Sequence, residues 1–310
     1  MKKILSLARE HVRLDFQRTY YLTLALFLAL ALAINYSIDL ENKWIDQHTG
    51  KPLRIFLYFL LNAVGYYGAC LMVSYFKKEN DFWRSGKFWI FSLFGLSVIS
   101  VDHGFPYLNT LVSFFNQPYA AYFWLFKIGT NLTSFALVLL PLFLFYRMYD
   151  KEKSGLYGLT APGNIKPYLV LLLIVAPFIL LASLQKGFTD YYPIYKTTTV
   201  SELWHWPGYL PMLIFELLYG ADFLNVELLF RGFFVIGMAQ VLGKNSVMPM
   251  VVIYCFLHFG KPAGEAISSI FGGYMLGIIA LYTRSIWGGI IVHVGVAWLM
   301  ETGAYFAKQL

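Results

Sequence analysis

Long apolar runs alternate with short polar breaks along almost the whole chain. They fall at about 20–37, 55–76, 88–101, 121–146, 168–185, 207–242, 245–258, 263–282 and 286–307. A helix that crosses roughly 30 Å of hydrocarbon needs about 20 residues, because its backbone groups must pair internally. The pattern therefore predicts an all-α, polytopic transmembrane bundle of eight or nine helices, with 207–242 either two segments or one kinked helix. The first 19 residues differ: basic and apolar positions alternate there, as in an amphipathic helix lying in the membrane interface. Their long charged stretch does not have the form of a cleavable signal peptide.

Composition strengthens the membrane reading, since 58% of the 310 residues are hydrophobic and only 13% are charged, outside the range of ordinary soluble domains. The net charge of +7 would suit nucleic acid, but the basic residues sit in loops beside the apolar runs. Anionic lipid headgroups are the expected partner, and no nucleic acid. Lys2, Lys3, Arg9, Arg13 and Arg18, then Lys77, Lys78, Arg84 and Lys87, then Arg147, Lys151, Lys153 and Lys166 fall on one side if every run crosses. That bias places the N-terminus in the cytoplasm. Short loops and the lack of a retention signal suit a bacterial inner membrane.

No repeat or low-complexity tract divides the chain, and the longest polar stretch, 187–206, is too short for a domain of its own. The expected organisation is one integrated membrane domain, with N-terminal helices over 1–206 and a chemically loaded core over 207–310. Cys70 and Cys255 both lie in apolar runs, which argues against a disulfide framework. The sequon at Asn131 lies inside a run and carries no glycosylation meaning.

In NVELLFRGFF, Glu227 and Arg231 stand four residues apart in apolar surroundings. Ionisable groups are costly inside a bundle and usually face its interior in pairs. One reading is an ion pair that pins helices. His258, just before Gly260 and Pro262, and His293, within the last apolar run, shift the balance. Each alone is more often a satisfied bundle histidine. Together the four put ionisable groups on three late helices, the clustering expected of a site.

These residues resemble the CPBP family of intramembrane proteases, which includes the CAAX prenyl endopeptidases and relatives linked to bacteriocin processing and self-immunity. The family's Glu-Glu-x-x-x-Arg, Phe-x-x-x-His and His-x-x-x-Asn/Asp motifs are similar to Val226 to Arg231, Tyr254 to His258 and His293 to Ala297. The similarity extends over about 207–307. It implies an endopeptidase in which a glutamate and the first histidine activate water, while the second histidine and the Asn/Asp hold the oxyanion. The implied substrate is a membrane-associated or lipidated protein or peptide. Candidate catalytic residues are Glu227, His258 and His293, with Arg231 as ion-pair support.

Two positions depart from the pattern: Val226 replaces the first glutamate and Ala297 the oxyanion partner. Glu265, seven residues after His258, is a substitute carboxylate if Pro262 starts the next helix, although the helix dipole alone would favour it there. Glu301 follows His293 by eight residues, about 12 Å along a helix, and is expected at the interface. Glu216 shares the face of Glu227 if that helix is continuous. Lys127 is expected to snorkel or to balance a carboxylate, and Gly272, Gly273 and Gly277 to let helices pack closely. Glu227, His258 and His293 would also make a three-ligand zinc site, but no HExxH is present, and the resemblance favours a metal-free mechanism without cofactor. Alternatives are a catalytically inactive relative that binds a partner in immunity or maturation, and a transporter, for which inverted repeats with broken helices are missing.

Overall fold

The computed structural model of the chain describes residues 2–150, 155–195 and 199–309, with the backbone alone for Lys2, Lys3 and Thr199. Lys151 and Lys153 of the basic loop lie outside the described residues. Among the described residues no strand forms, and the ordered elements are helices. The principal ones are α1 (Lys2–Asp15), α2 (Arg18–Ile38), α3 (Leu53–Lys77), α4 (Gly86–Gly104), α5 (Tyr119–Tyr149), α6 (Lys166–Ala182), α7 (Leu210–Glu227), α8 (Val247–Phe256), α9 (Ala263–Thr283) and α10 (Trp287–Ala307). Two π-helical stretches interrupt this order, Phe135–Leu139 within α5 and Leu228–Gly237 directly after α7.

Six helical stretches are long and apolar enough to cross a membrane, fewer than the eight or nine expected. The stretches over 207–242 and 245–258 run on as one, Leu210–Phe256. The run at 168–185 forms the shorter α6, and the run at 88–101 forms α4, whose ends carry Lys87, Asp102 and His103. The protein is an integral, all-α membrane bundle. Leu210–Phe256 is the most deeply buried of the six, and the others pack around it with more lipid-facing surface.

The core follows from this arrangement. Phe91, Phe230, Phe233, Phe234, Tyr66 and the valines of α8 interlock at the centre, all close to fully buried. Gly273 and Gly277 give α9 its close approach to α8: a Cβ would lie 3.0 Å from the Tyr254 ring at the first and 2.8 Å from Met250 at the second. Gly272 faces open space instead. Cys70 and Cys255 are buried and unbonded.

The basic segments gather at one end of the bundle. Lys77 pairs with Asp15 at 2.6 Å, Lys87 approaches Asp150 at 3.9 Å, and Lys244 donates to the Leu14 carbonyl at the end of α1. α1 is the amphipathic helix expected from the sequence: His11 is buried against Tyr282, while Leu5 and Leu14 are exposed.

Candidate active site

The chemistry-bearing residues surround the junction of α7, α8, α9 and α10. Glu227 closes α7, and the next residue opens the π-helix, in which every residue from Leu228 to Gly237 is buried. Such i to i+5 stretches recur at functional sites. The wider coil still brings Arg231 back to Glu227, with Nη1 2.9 Å from Oε1 and both side chains at most 1% exposed. This contact is an ion pair without hydrogen-bond geometry, and none of the three guanidinium nitrogens has a hydrogen-bond partner. The charge is balanced by proximity and by the Tyr254 ring, whose centroid lies 4.0 Å from the guanidinium carbon.

His293 approaches Glu227 from α10. Its Nδ1 is 2.8 Å from the same Oε1, its Nε2 is 2.7 Å from the Tyr254 hydroxyl, and Phe223 covers its face. Glu227 Oε2 has no partner and points at Gly289 of α10, where an added Cβ would lie 1.8 Å away. Only glycine leaves room for the carboxylate there.

The second group lies beyond Tyr254. His258 follows α8, and its Nδ1 is 2.8 Å from the Tyr254 carbonyl oxygen. A carbonyl only accepts, so Nδ1 carries the hydrogen, and the neutral ring presents a lone pair at Nε2. That nitrogen faces Glu265 Oε1 at 3.9 Å. Pro262 caps α9 and puts Glu265 in its first turn, as the spacing predicts. Lys261 holds Glu265 Oε1 at 2.7 Å, and the Tyr192 hydroxyl donates to Oε2 at 2.8 Å. Tyr254 joins the two groups through its hydroxyl, its carbonyl and its ring.

The loop that carries His258 is latched from the N-terminal half. Asn35 donates to the Phe259 carbonyl at 2.9 Å, Tyr36 donates to the Lys261 carbonyl at 2.8 Å, and the Glu41 carboxylate packs against Gly260. A Cβ at Gly260 would meet Glu41 Oε1 at 2.7 Å, so the glycine admits this carboxylate. Glu41 lies outside the membrane-crossing helices, and burial, with the neighbouring Asp46, pushes its carboxyl up from 4.5 to about 7. The folded state therefore holds this proton more tightly than the unfolded chain. Stability falls as pH rises from about 5 through 7 and stays lower above. Glu41→Gln is expected to flatten that dependence and to raise the Tm at pH 8 by roughly 5 °C, measured by thermal unfolding between pH 5 and 8.

The other sequence candidates fall elsewhere. Glu301 is buried within the protein, and both its oxygens accept the Ile194 N–H, at 3.1 and 3.0 Å. Glu216 Oε2 is buried without a partner, and Lys127 lies beside the Phe123 ring and Asp190. Ala297 is buried and brings no polar group, and Val226 packs against the core. The donor atoms of Glu227, His258 and His293 do not fit zinc: His293 Nδ1 faces Glu227 and its Nε2 faces Tyr254. Among the described residues no three His, Cys, Asp or Glu side chains converge on a metal position.

Tyr254, Lys261 and Tyr192 were not singled out from the sequence. Lys261 had a readable signal, its i,i+4 spacing to Glu265. Tyr254 stood in the position of the family's phenylalanine, where an added hydroxyl was the clue. Tyr192 comes from a distant loop and had none.

Residues 211–299, less than a third of the chain, match the family model described as Type II CAAX prenyl endopeptidase Rce1-like. Glu227, Arg231, Tyr254, His258, Glu265 and His293 all fall inside the match. No curated protein and no solved structure matches the chain.

Proposed function

We propose that this membrane protein, whose residues 211–299 match the model of the type II CAAX prenyl endopeptidases, is an intramembrane endopeptidase that works without metal. Its substrate is a membrane-associated or lipidated protein or peptide, cut by an activated water. The observation that carries the reading is the 3.9 Å gap between His258 Nε2 and Glu265 Oε1. Both atoms are acceptors, so they do not bond each other directly. One water, donating a hydrogen to each at about 2.8 Å, spans the gap and keeps its own lone pairs free to attack. Glu265 takes the role left by Val226, and Lys261 pairs with it at 2.7 Å.

Oxyanion support comes from Tyr254 in place of Ala297. His293 donates its Nδ1–H to Glu227 and accepts the Tyr254 hydroxyl at Nε2, and the phenol O–H turns from that nitrogen to the carbonyl oxygen of the substrate as negative charge develops there. Arg231 beneath the ring favours negative charge nearby. Tyr192 covers Glu265, so substrate entry requires that its hydroxyl release the carboxylate.

The gathered basic end faces anionic lipid in this reading, in the cytoplasm of a bacterial inner membrane. Val226 and Ala297 support the other reading, an inactive relative that holds a partner protein. Membranes from matched cells that express the intact chain or His258→Ala at equal levels decide between them. New protein termini, mapped by mass spectrometry, are expected only with the intact chain. Identical terminus profiles would leave the inactive reading.

A further inference from the structure

The chain that follows α6 crosses the candidate site instead of skirting it. Lys186–Tyr191 forms a short helical turn, closed by the Phe188 N–H on the Gln185 carbonyl at 3.0 Å and the Tyr192 N–H on the Phe188 carbonyl at 2.8 Å. The Tyr191 and Phe188 rings pack on Tyr192, with centroids 4.9 and 5.0 Å away. These internal contacts make the segment a small body that moves as a unit.

Two carboxylates from different helices hold this strap. The Tyr192 hydroxyl, on a side chain only 1% exposed, donates to Glu265 Oε2 of α9 at 2.8 Å. Two residues on, the Ile194 N–H is shared by both oxygens of the buried Glu301 of α10. A carboxylate is costly to bury unless it is hydrogen-bonded, so Glu301 and the strap backbone need each other. The opposite side of the strap faces a cavity of about 370 Å³, lined by Asp190, Tyr191 and Ile194 and by Phe123 and Lys127 of α5. Consecutive residues therefore point opposite ways: Tyr191 lines the cavity, and Tyr192 covers Glu265. The strap is a partition between that cavity and the candidate base.

We propose that Lys186–Ile194 is a gate, anchored by Glu301 and shut by Tyr192 on Glu265, and that it opens toward α5, with the cavity as the vestibule through which a peptide reaches the site. Glu301 is then a positioning residue, which fixes the strap backbone so that the Tyr192 hydroxyl meets Glu265. A hydrogen bond to a charged group shifts an equilibrium about tenfold or more. Opening breaks that bond and lets water replace it, so the shut state is favoured by a margin that one substitution can move. The effect on cleavage rests on the endopeptidase reading, whereas the gate itself does not.

Two readouts on the full chain in proteoliposomes keep these apart: hydrogen exchange of the amides in 186–194, and kcat and KM for a substrate identified by its new termini. Tyr192→Phe keeps the ring contacts and removes the hydroxyl. It is expected to speed exchange about tenfold and to raise kcat/KM. Glu301→Met removes the acceptor at similar volume and should do the same, whereas Glu301→Gln keeps one acceptor oxygen and should change less. Phe123→Trp narrows the cavity and should slow exchange and cleavage, and unaltered values there would overturn the vestibule. Unchanged exchange in Tyr192→Phe overturns the gate, and that variant also decides the matter if Glu301→Met does not fold. A lower kcat at unchanged KM in Tyr192→Phe would make the hydroxyl part of the chemistry and refute its role as a bar to entry. If the intact chain cleaves nothing, the endopeptidase reading falls, and the exchange rates alone decide the gate.

Discussion

Glu265→Gln is expected to lower the rate of peptide hydrolysis about 10³-fold while leaving the fold intact. The substitution keeps the shape of the side chain and its bonds to Tyr192 and Lys261 in altered form, but removes the charge that draws a proton from water. His258→Ala should cost a similar factor, and the double variant little more, because both residues act on one water. The measurement is the cleavage rate of a substrate identified from the terminus maps, in proteoliposomes, with unfolding temperature as the control for folding. Should Glu265→Gln cleave at the full rate while Glu227→Gln is inactive, the base belongs to Glu227, and Glu265 only balances Lys261.

The second large effect is on stability. Arg231→Met strands the fully buried Glu227 carboxylate without its guanidinium partner. Removing one partner of a buried pair costs about 3–5 kcal/mol, whereas replacing both is far milder. Arg231→Met should therefore unfold roughly 10 °C below the intact chain, and Glu227→Gln with Arg231→Met should recover much of that loss. Scanning calorimetry of the intact chain, both single variants and the double variant measures the coupling. Additive losses would mean that the guanidinium is held by the Tyr254 ring rather than by Glu227.

The bundle and half of its site were legible in the sequence for physical reasons. Apolar runs of membrane length announce helices whatever they pack against. The Glu227 and Arg231 spacing survives the change from α to π, since residues four apart remain neighbours in both coils. The π-helix itself was not legible: LLFRGFFVIG is buried on every side, so its hydropathy has no period to read. Glu265 was readable as a candidate because Pro262 and Gly260 punctuate the chain just before it. The partners that finish the site were not, because Tyr192 and Glu41 arrive from remote segments that only tertiary packing brings near. Val226 and Ala297 read as missing functions when aligned to the motifs, whereas the structure sets Glu265 and Tyr254 beside the same histidines from other positions.

The latching of the His258 loop by Asn35 and Tyr36 limits what can be carved from this protein. The segment that bears the family match holds every candidate catalytic side chain, yet the backbone geometry of one of them is set by α2 and the turn after it. A miniature made of residues 207–310 alone would keep the chemistry and lose the aim, with His258 free to swing away from Glu265. Because these latches are non-covalent, co-expression of the two halves as separate chains is expected to restore the aim that the fragment alone loses.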